Sequence, residues 1–128
     1  MSNKKKKILI LTNHSYMLYR FRKELIEELM KNNEVILSMP FVGHHEDFMN
    51  MGLHCIETKM ERRGINPFTD LSLINFYKKM LKEEKPDLVI TYSIKPNIYG
   101  GLMCSKLKIP FYANVQGLGT AFQTKGLA

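Results

Sequence analysis

The residues that could do chemistry fall into a few short segments. Thr12-Asn13-His14-Ser15-Tyr16 holds a histidine able to act as acid, base or hydrogen-bond donor, or to cap a helix alongside Ser15. Tyr92-Ser93-Ile94-Lys95-Pro96-Asn97-Ile98-Tyr99-Gly100-Gly101 joins a cation, an amide and two adjacent glycines. Such a set suits an anionic or polyhydroxyl ligand. Lys95 would meet a phosphate as a point charge, Asn97 would donate to and accept from a hydroxyl, and Gly100-Gly101 would let a ligand approach the backbone. The same glycines would equally let a helix pack closely on a sheet. Gln116-Gly117-Leu118-Gly119-Thr120 carries a GxG pair, half of a phosphate loop or simply a turn. Arg62 and Arg63 are either solvated charges or contacts for a diphosphate or a lipid headgroup.

Several chemistries are disfavoured by what stands where. A nicotinamide dehydrogenase needs glycines after its first strand so that the backbone can reach the pyrophosphate, and Thr12 to Tyr16 contains none. Asp47, Asp70 and Asp87 fall at helix starts or at the base of a strand, so no carboxylate pair is set for glycoside hydrolysis and no receiver-type phosphoacceptor stands at a strand tip. There is no nucleophile elbow. His44, His45 and His54 lack ligand spacing and read as surface residues, so no metal site is expected. No helix concentrates basic residues with base-reading amides, which argues against nucleic acid.

The elements that must position these segments follow from the periodicity. The 128 residues are 45% hydrophobic with a net charge of +7, which suits one globular domain, residues 1–128. Lys4 to Lys7 supply four of the seven excess charges, as a solvated leader or an attraction to anionic lipid. No apolar run approaches the length of a membrane span, and Ile8 to Thr12 is too short for a secretory signal. Cys55 and Cys104 are far apart, without zinc or disulfide-framework spacing, so a reducing cytoplasm is expected.

The continuous apolar run Ile8–Leu11 predicts a strand buried on both faces, and short runs at Val35–Leu37, Leu53–Ile56, Leu88–Ile90 and Phe111–Val115 predict four more strands. Between them, Leu18, Phe21, Leu25, Ile26, Leu29 and Met30 predict an amphipathic helix ended by Asn32-Asn33. A short segment from Glu46 to Met51 stops at Gly52. Thr58 to Phe68 reads as a loop, after which Thr69 caps a helix carrying Leu73, Phe76, Tyr77, Met80 and Leu81. Pro96 opens the last helix. Strands alternating with helices imply a doubly wound α/β fold, a Rossmann-like parallel sheet of order 3-2-1-4-5 with helices on both faces. The ligand crevice then lies beyond the tips of strands one, four and five. The end of the chain leaves strand five without a covering helix, so the chain reads as a piece of something longer.

Taken together, Lys7 to Thr12, Tyr19-Arg20-Phe21-Arg22, Arg63-Gly64-Ile65-Asn66-Pro67-Phe68, Lys85-Pro86-Asp87-Leu88-Val89, Lys95-Pro96-Asn97-Ile98-Tyr99-Gly100 and Gly117-Leu118-Gly119-Thr120 resemble the N-terminal half of GT-B glycosyltransferases of the family 4 type. The bacterial branch that builds capsular, exopolysaccharide and lipid-linked glycans is the most similar. The resemblance implies an acceptor domain facing a second Rossmann-like domain, not in this chain, that holds the nucleotide-sugar. It further implies transfer of a hexose, N-acetylhexosamine or uronic acid with retention, without a bound metal or cofactor, onto a polyprenyl-diphosphate-linked or polysaccharide acceptor at the cytoplasmic membrane face. The chain alone is then expected to be inactive. On this reading His14 faces the cleft as the catalytic candidate, and Arg62, Arg63, Asn66, Lys95, Asn97, Tyr99, Gly117, Gly119 and Thr120 contact acceptor or phosphate. The alternative is a non-enzymatic α/β module that recruits a partner or a membrane.

Overall fold

The computed structural model describes residues 5–60 and 66–114. Five strands form one parallel sheet: β1 (Lys6–Leu11), β2 (Asn33–Met39), β3 (His54–Glu57), β4 (Leu88–Tyr92) and β5 (Phe111–Asn114), in the order β3-β2-β1-β4-β5. The expected order and class are thus observed. β1 is central, pairing Ile8 with Val35 on one side and with Leu88 on the other. It begins two residues before the apolar run, so Lys6 and Lys7 are strand residues and not leader. Lys7 closes the base of the sheet: its amide donates to Asp87 Oδ2 at 2.7 Å, its carbonyl accepts from the Asp87 amide at 2.8 Å, and its ammonium reaches Glu84.

Alternation along β1 divides the core in two. Ile8 and Ile10 pack with Leu18, Ile26, Val35, Leu37, Met39 and Phe48, so α1 (Ser15–Asn32) and α2 (His45–Asn50) cover one face. Leu9 and Leu11 pack with Leu73, Tyr77, Met80, Leu81, Val89, Met103 and Cys104, so α3 (Pro67–Glu84) and α4 (Gly101–Leu107) cover the other. Among the described residues no helix is long and apolar enough to cross a membrane. Cys55 and Cys104 are free, and burial pushes both thiols up to about 11.

Helix ends carry one correction. Thr69 does not cap α3. Asn66 does, its Oδ1 accepting from the amides of Phe68 at 3.1 Å and Thr69 at 3.3 Å, with Pro67 as the first helical residue. An Asn followed by Pro satisfies the orphan amides one turn earlier and needs no donor from residue 67. At the far end of β4 the backbone enters a π-helical turn, Pro96–Gly100, that runs into α4. Gly100 is there for closeness: a Cβ on it would stand 2.6 Å from Leu11 Cδ1. One on Gly101 would stand 2.9 Å from the Phe111 ring. The glycine pair therefore lets this helix pack on β1, β4 and β5, the second of the two roles open from sequence.

Candidate functional site

β1 and β4 are neighbours whose crossovers leave toward opposite faces, so their carboxyl ends cannot be covered by either helix layer. A depression of about 160 Å³ opens there, floored by Leu18, Thr12 and Tyr92 and rimmed by Asn13, His14 and Ser93, with Arg22 of α1 at its side. Thr12 shapes the first loop: its amide donates to the Ser38 carbonyl, and its Oγ1 accepts from the His14 amide at 3.3 Å. His14 is the N-cap of α1, its Nδ1 accepting from the Tyr16 amide at 3.1 Å. Capping and cleft position therefore coincide in one side chain. Ser15 is buried and ties the loop above: its Oγ donates to the Val42 carbonyl and accepts from the His44 amide.

Behind the depression, the Lys-Pro-Asn segment is a polar clamp. Lys95 is buried, and its ammonium donates to Asp70 Oδ1 at 2.8 Å, while Tyr99 donates to Asp70 Oδ2 at 2.9 Å. The hydrogen bond from Lys95 holds the Asp70 carboxyl below the usual carboxylate range against the opposing effect of burial, and Tyr99 adds to it. Its partner Tyr99 is raised in turn, mainly by donating to that carboxylate. Asn97 accepts from Thr91 Oγ1 at 2.6 Å and donates to the Asn114 carbonyl at 2.7 Å, which joins the tips of β4 and β5. The Asn97 amide also bonds the carbonyl of Ser93, a residue held at φ 80°. A non-glycine residue in that region costs roughly 1–3 kcal/mol and persists only where its surroundings enforce it.

Of the residues expected at the site, the structure brings His14 to the depression and sets Lys95, Asn97 and Tyr99 behind it on internal partners. Asn66 caps α3. Arg62, Arg63, Gly117, Gly119 and Thr120 lie outside the described residues, as does Lys4 of the basic leader. His54 is exposed as expected, but His44 and His45 are half-buried in ring stacks, on Tyr19 at 4.4 Å and on Phe41 at 4.8 Å. Their place beside aromatic neighbours at the start of α2, and not spacing to other ligands, decides their packing. The expected ligand contacts include neither Arg22 nor Asp70, and Tyr92 enters only as part of the fourth-strand segment. Burial pushes the Tyr92 phenol up, and Arg22 beside it works in the opposite sense.

A parallel sheet in this order, with helices on both faces and a depression at its switch point, is a Rossmann-like domain. The chain belongs to the family described as "Glycosyl transferase 4-like", whose profile matches residues 7–127. It is 29% identical over 122 residues to the N,N'-diacetylbacillosaminyl-diphospho-undecaprenol alpha-1,3-N-acetylgalactosaminyltransferase of Campylobacter jejuni, covering 94% of this chain and 32% of that protein. In fold it is similar to a glycosyltransferase from Rickettsia africae, with a TM-score of 0.69 and 19% identity over 95% of this chain and 33% of the other. Acinetobacter baumannii MurG superposes with a TM-score of 0.68 and 15% identity, covering 95% of this chain and 38% of MurG. The chain thus spans about a third of the length of these relatives.

Proposed function

We propose that this protein is the acceptor-side half of a retaining glycosyltransferase that moves a sugar from a nucleotide-sugar onto a lipid-linked, polyprenyl-diphosphate acceptor. Family membership supports the reaction class, and the diphospho-undecaprenol named for the Campylobacter relative supports the acceptor class. The observation that carries the reading is the depression at the β1/β4 switch point, the place where an open α/β sheet presents its ligand. In such a transfer an acceptor hydroxyl forms the new glycosidic bond as the bond to the nucleotide diphosphate breaks. The acceptor side contributes by holding that hydroxyl in line. His14 stands at the rim as the group to meet it. Lys95, Asn97 and Tyr99 serve from behind by fixing the wall, and Arg62, Arg63 and the Gly117–Thr120 loop complete the acceptor contacts. The nucleotide-sugar is held by a second domain across the cleft.

The acceptor places the protein on the cytoplasmic face of a membrane, in capsular or lipid-linked glycan synthesis. Support comes from α3, whose first turns begin at the same edge of the sheet as the depression. There Phe68 and Leu71 are 85% and 58% exposed, and Lys79 and Lys82 follow along the outer side of the helix. The test is a titration of the isotopically labelled chain with a short prenyl-diphosphate-linked N-acetylhexosamine, read by amide shifts. Saturable shifts at Asn13, His14 and Ser93, with much weaker ones from UDP-N-acetylhexosamine, are expected. Shifts confined to outer helix faces would refute the reading and favour a recruitment module.

A further inference from the structure

Arg22 stands apart from the other cations of the chain. It lies in the inward row of α1, four residues after Leu18 and four before Ile26, both fully or nearly fully buried. A cation in such a row is exceptional, since the positions on either side of it in the row are core. Here it is half-buried with its guanidinium 5.9 Å from the centroid of the Tyr92 ring, on the wall of the switch-point depression. Its Nη1 donates to the Phe21 carbonyl at 3.3 Å, and its side chain also hydrogen-bonds the Tyr92 phenol. None of the ion pairs among the described residues involves it, and no carboxylate lines the depression. A guanidinium carries five donors and a permanent charge, so donors remain beyond these two bonds and the charge has no counter-ion among the described residues.

We infer that Arg22 is the anion-holding residue of this depression, and that the group it holds is a phosphate or diphosphate. The inference deepens the reading above by naming a ligand group at the same site. Three features favour phosphate over a neutral hydroxyl. The planar fork matches two phosphate oxygens at once. Contact with Tyr92, itself 5% exposed, through its phenol and within cation–π reach of its ring, holds the fork beside a buried side chain before a ligand arrives. The volume of about 160 Å³ is below the roughly 300–1,000 Å³ of pockets that enclose a whole small molecule, so it suits one charged group of a larger ligand. Ser93 forms the opposite rim, held at φ 80° by the hydrogen bond from the Asn97 amide to its carbonyl. The Lys-Pro-Asn segment therefore sets the width of an anion site whose charge comes from α1.

The experiment is an amide-shift titration of the full chain with inorganic pyrophosphate at constant ionic strength, repeated on Arg22→Gln and Arg22→Lys. Saturable shifts at Asn13, His14 and Ser93 are expected. Arg22→Gln should weaken them by about tenfold or more, the size of a lost charged hydrogen bond, and Arg22→Lys should recover part of the loss. Arg22→Lys keeps the charge and the aliphatic stem, so it guards against the first variant simply failing to fold. Farnesyl diphosphate and UDP, titrated in parallel, distinguish the source: an Arg22-dependent effect confined to the former marks the acceptor, and to the latter the donor. Unchanged pyrophosphate affinity in Arg22→Gln, or shifts that map to Lys59 and Lys82, would overturn the inference. If an uncharged alkyl N-acetylhexosaminide still perturbs the depression in that case, the acceptor reading stands without it. If prenyl-linked sugars perturb nothing while pyrophosphate binding needs Arg22, the acceptor reading falls and the anion site remains.

Discussion

Replacing Gly100 with Ala separates the two roles open to the glycine pair. The added Cβ would stand 2.6 Å from Leu11 Cδ1 and 3.4 Å from Thr91 Cγ2, where ordinary contact begins at 3.4–4 Å. Relief requires about 1 Å of movement, and neither neighbour has room, because Leu11 and Thr91 are both 0% exposed. Overpacking of this kind costs about 1–3 kcal/mol, offset by roughly 0.5–1 kcal/mol for placing Ala instead of Gly in a helix. We expect a net loss of about 1–2 kcal/mol, read as a lower urea midpoint at unchanged m-value. Leu11→Ala alone should cost about 2–5 kcal/mol, but it opens space for the new methyl. The double variant should therefore be more stable than the sum of the two losses by about the overpacking energy, on the order of 1–3 kcal/mol. The Asn97 side-chain amide, bonded to the Asn114 carbonyl one turn away, should shift in Gly100→Ala and return toward its native position in the double variant. A neutral Gly100→Ala, or strict additivity with Leu11→Ala, would refute the packing role. Loss of acceptor binding at unchanged stability would restore the view that Gly100 is kept small for a ligand.

Three further outcomes follow from particular side chains. The Tyr77 hydroxyl is fully buried without a hydrogen-bond partner among the described residues, so Tyr77→Phe should stabilise the fold by about 1 kcal/mol, seen as a higher urea midpoint; a loss would show that the hydroxyl is bonded. Asp70 titrates below its unfolded value because Lys95 and Tyr99 bond its charged form. Its contribution is therefore complete above the unfolded pKa and is lost as pH falls through the folded one. Acid denaturation below about pH 4 should be shallower in Asp70→Asn, already weakened at neutral pH, and an identical acid slope would contradict the pairing. Phe68→Asp with Leu71→Asp should leave the denaturation midpoint near native, since both side chains are exposed, while reducing cosedimentation with phosphatidylglycerol vesicles by about tenfold or more; undiminished binding would remove α3 from the membrane contact.

The sheet order was legible because the inner strands β1, β2 and β4 carry buried apolar runs and helical periods separate the strands, while the edge strands β3 and β5 are short and only partly buried. The site was legible only where location decides it. His14 and the Tyr92-Ser93 segment stand at strand tips, and a parallel sheet brings its tips together whatever the loops contain. Lys95 and Asn97 stand at the same edge, yet location did not reveal that each is spent on an internal partner, because those partners lie far along the chain: Asp70 is 25 residues from Lys95, and Asn114 is 17 from Asn97.

One signal of those partners was nonetheless present in the helical rows. Asp70 stands three residues before Leu73 and seven before Tyr77, in the buried row of α3, as Arg22 stands between Leu18 and Ile26 in that of α1. A charge in an inward row must find a counter-charge, a hydrogen-bond partner or a ligand, since burial without one costs several kcal/mol. The structure divides the two cases. Asp70 meets Lys95 and Tyr99, so its charge is answered within the fold and its business is to hold the wall. Arg22 meets a carbonyl and the Tyr92 side chain at the mouth of an open depression but no carboxylate among the described residues, so its charge is left for something that arrives from outside. That asymmetry between two otherwise similar positions is the physical reason for assigning structure to the Lys95 clamp and ligand binding to Arg22.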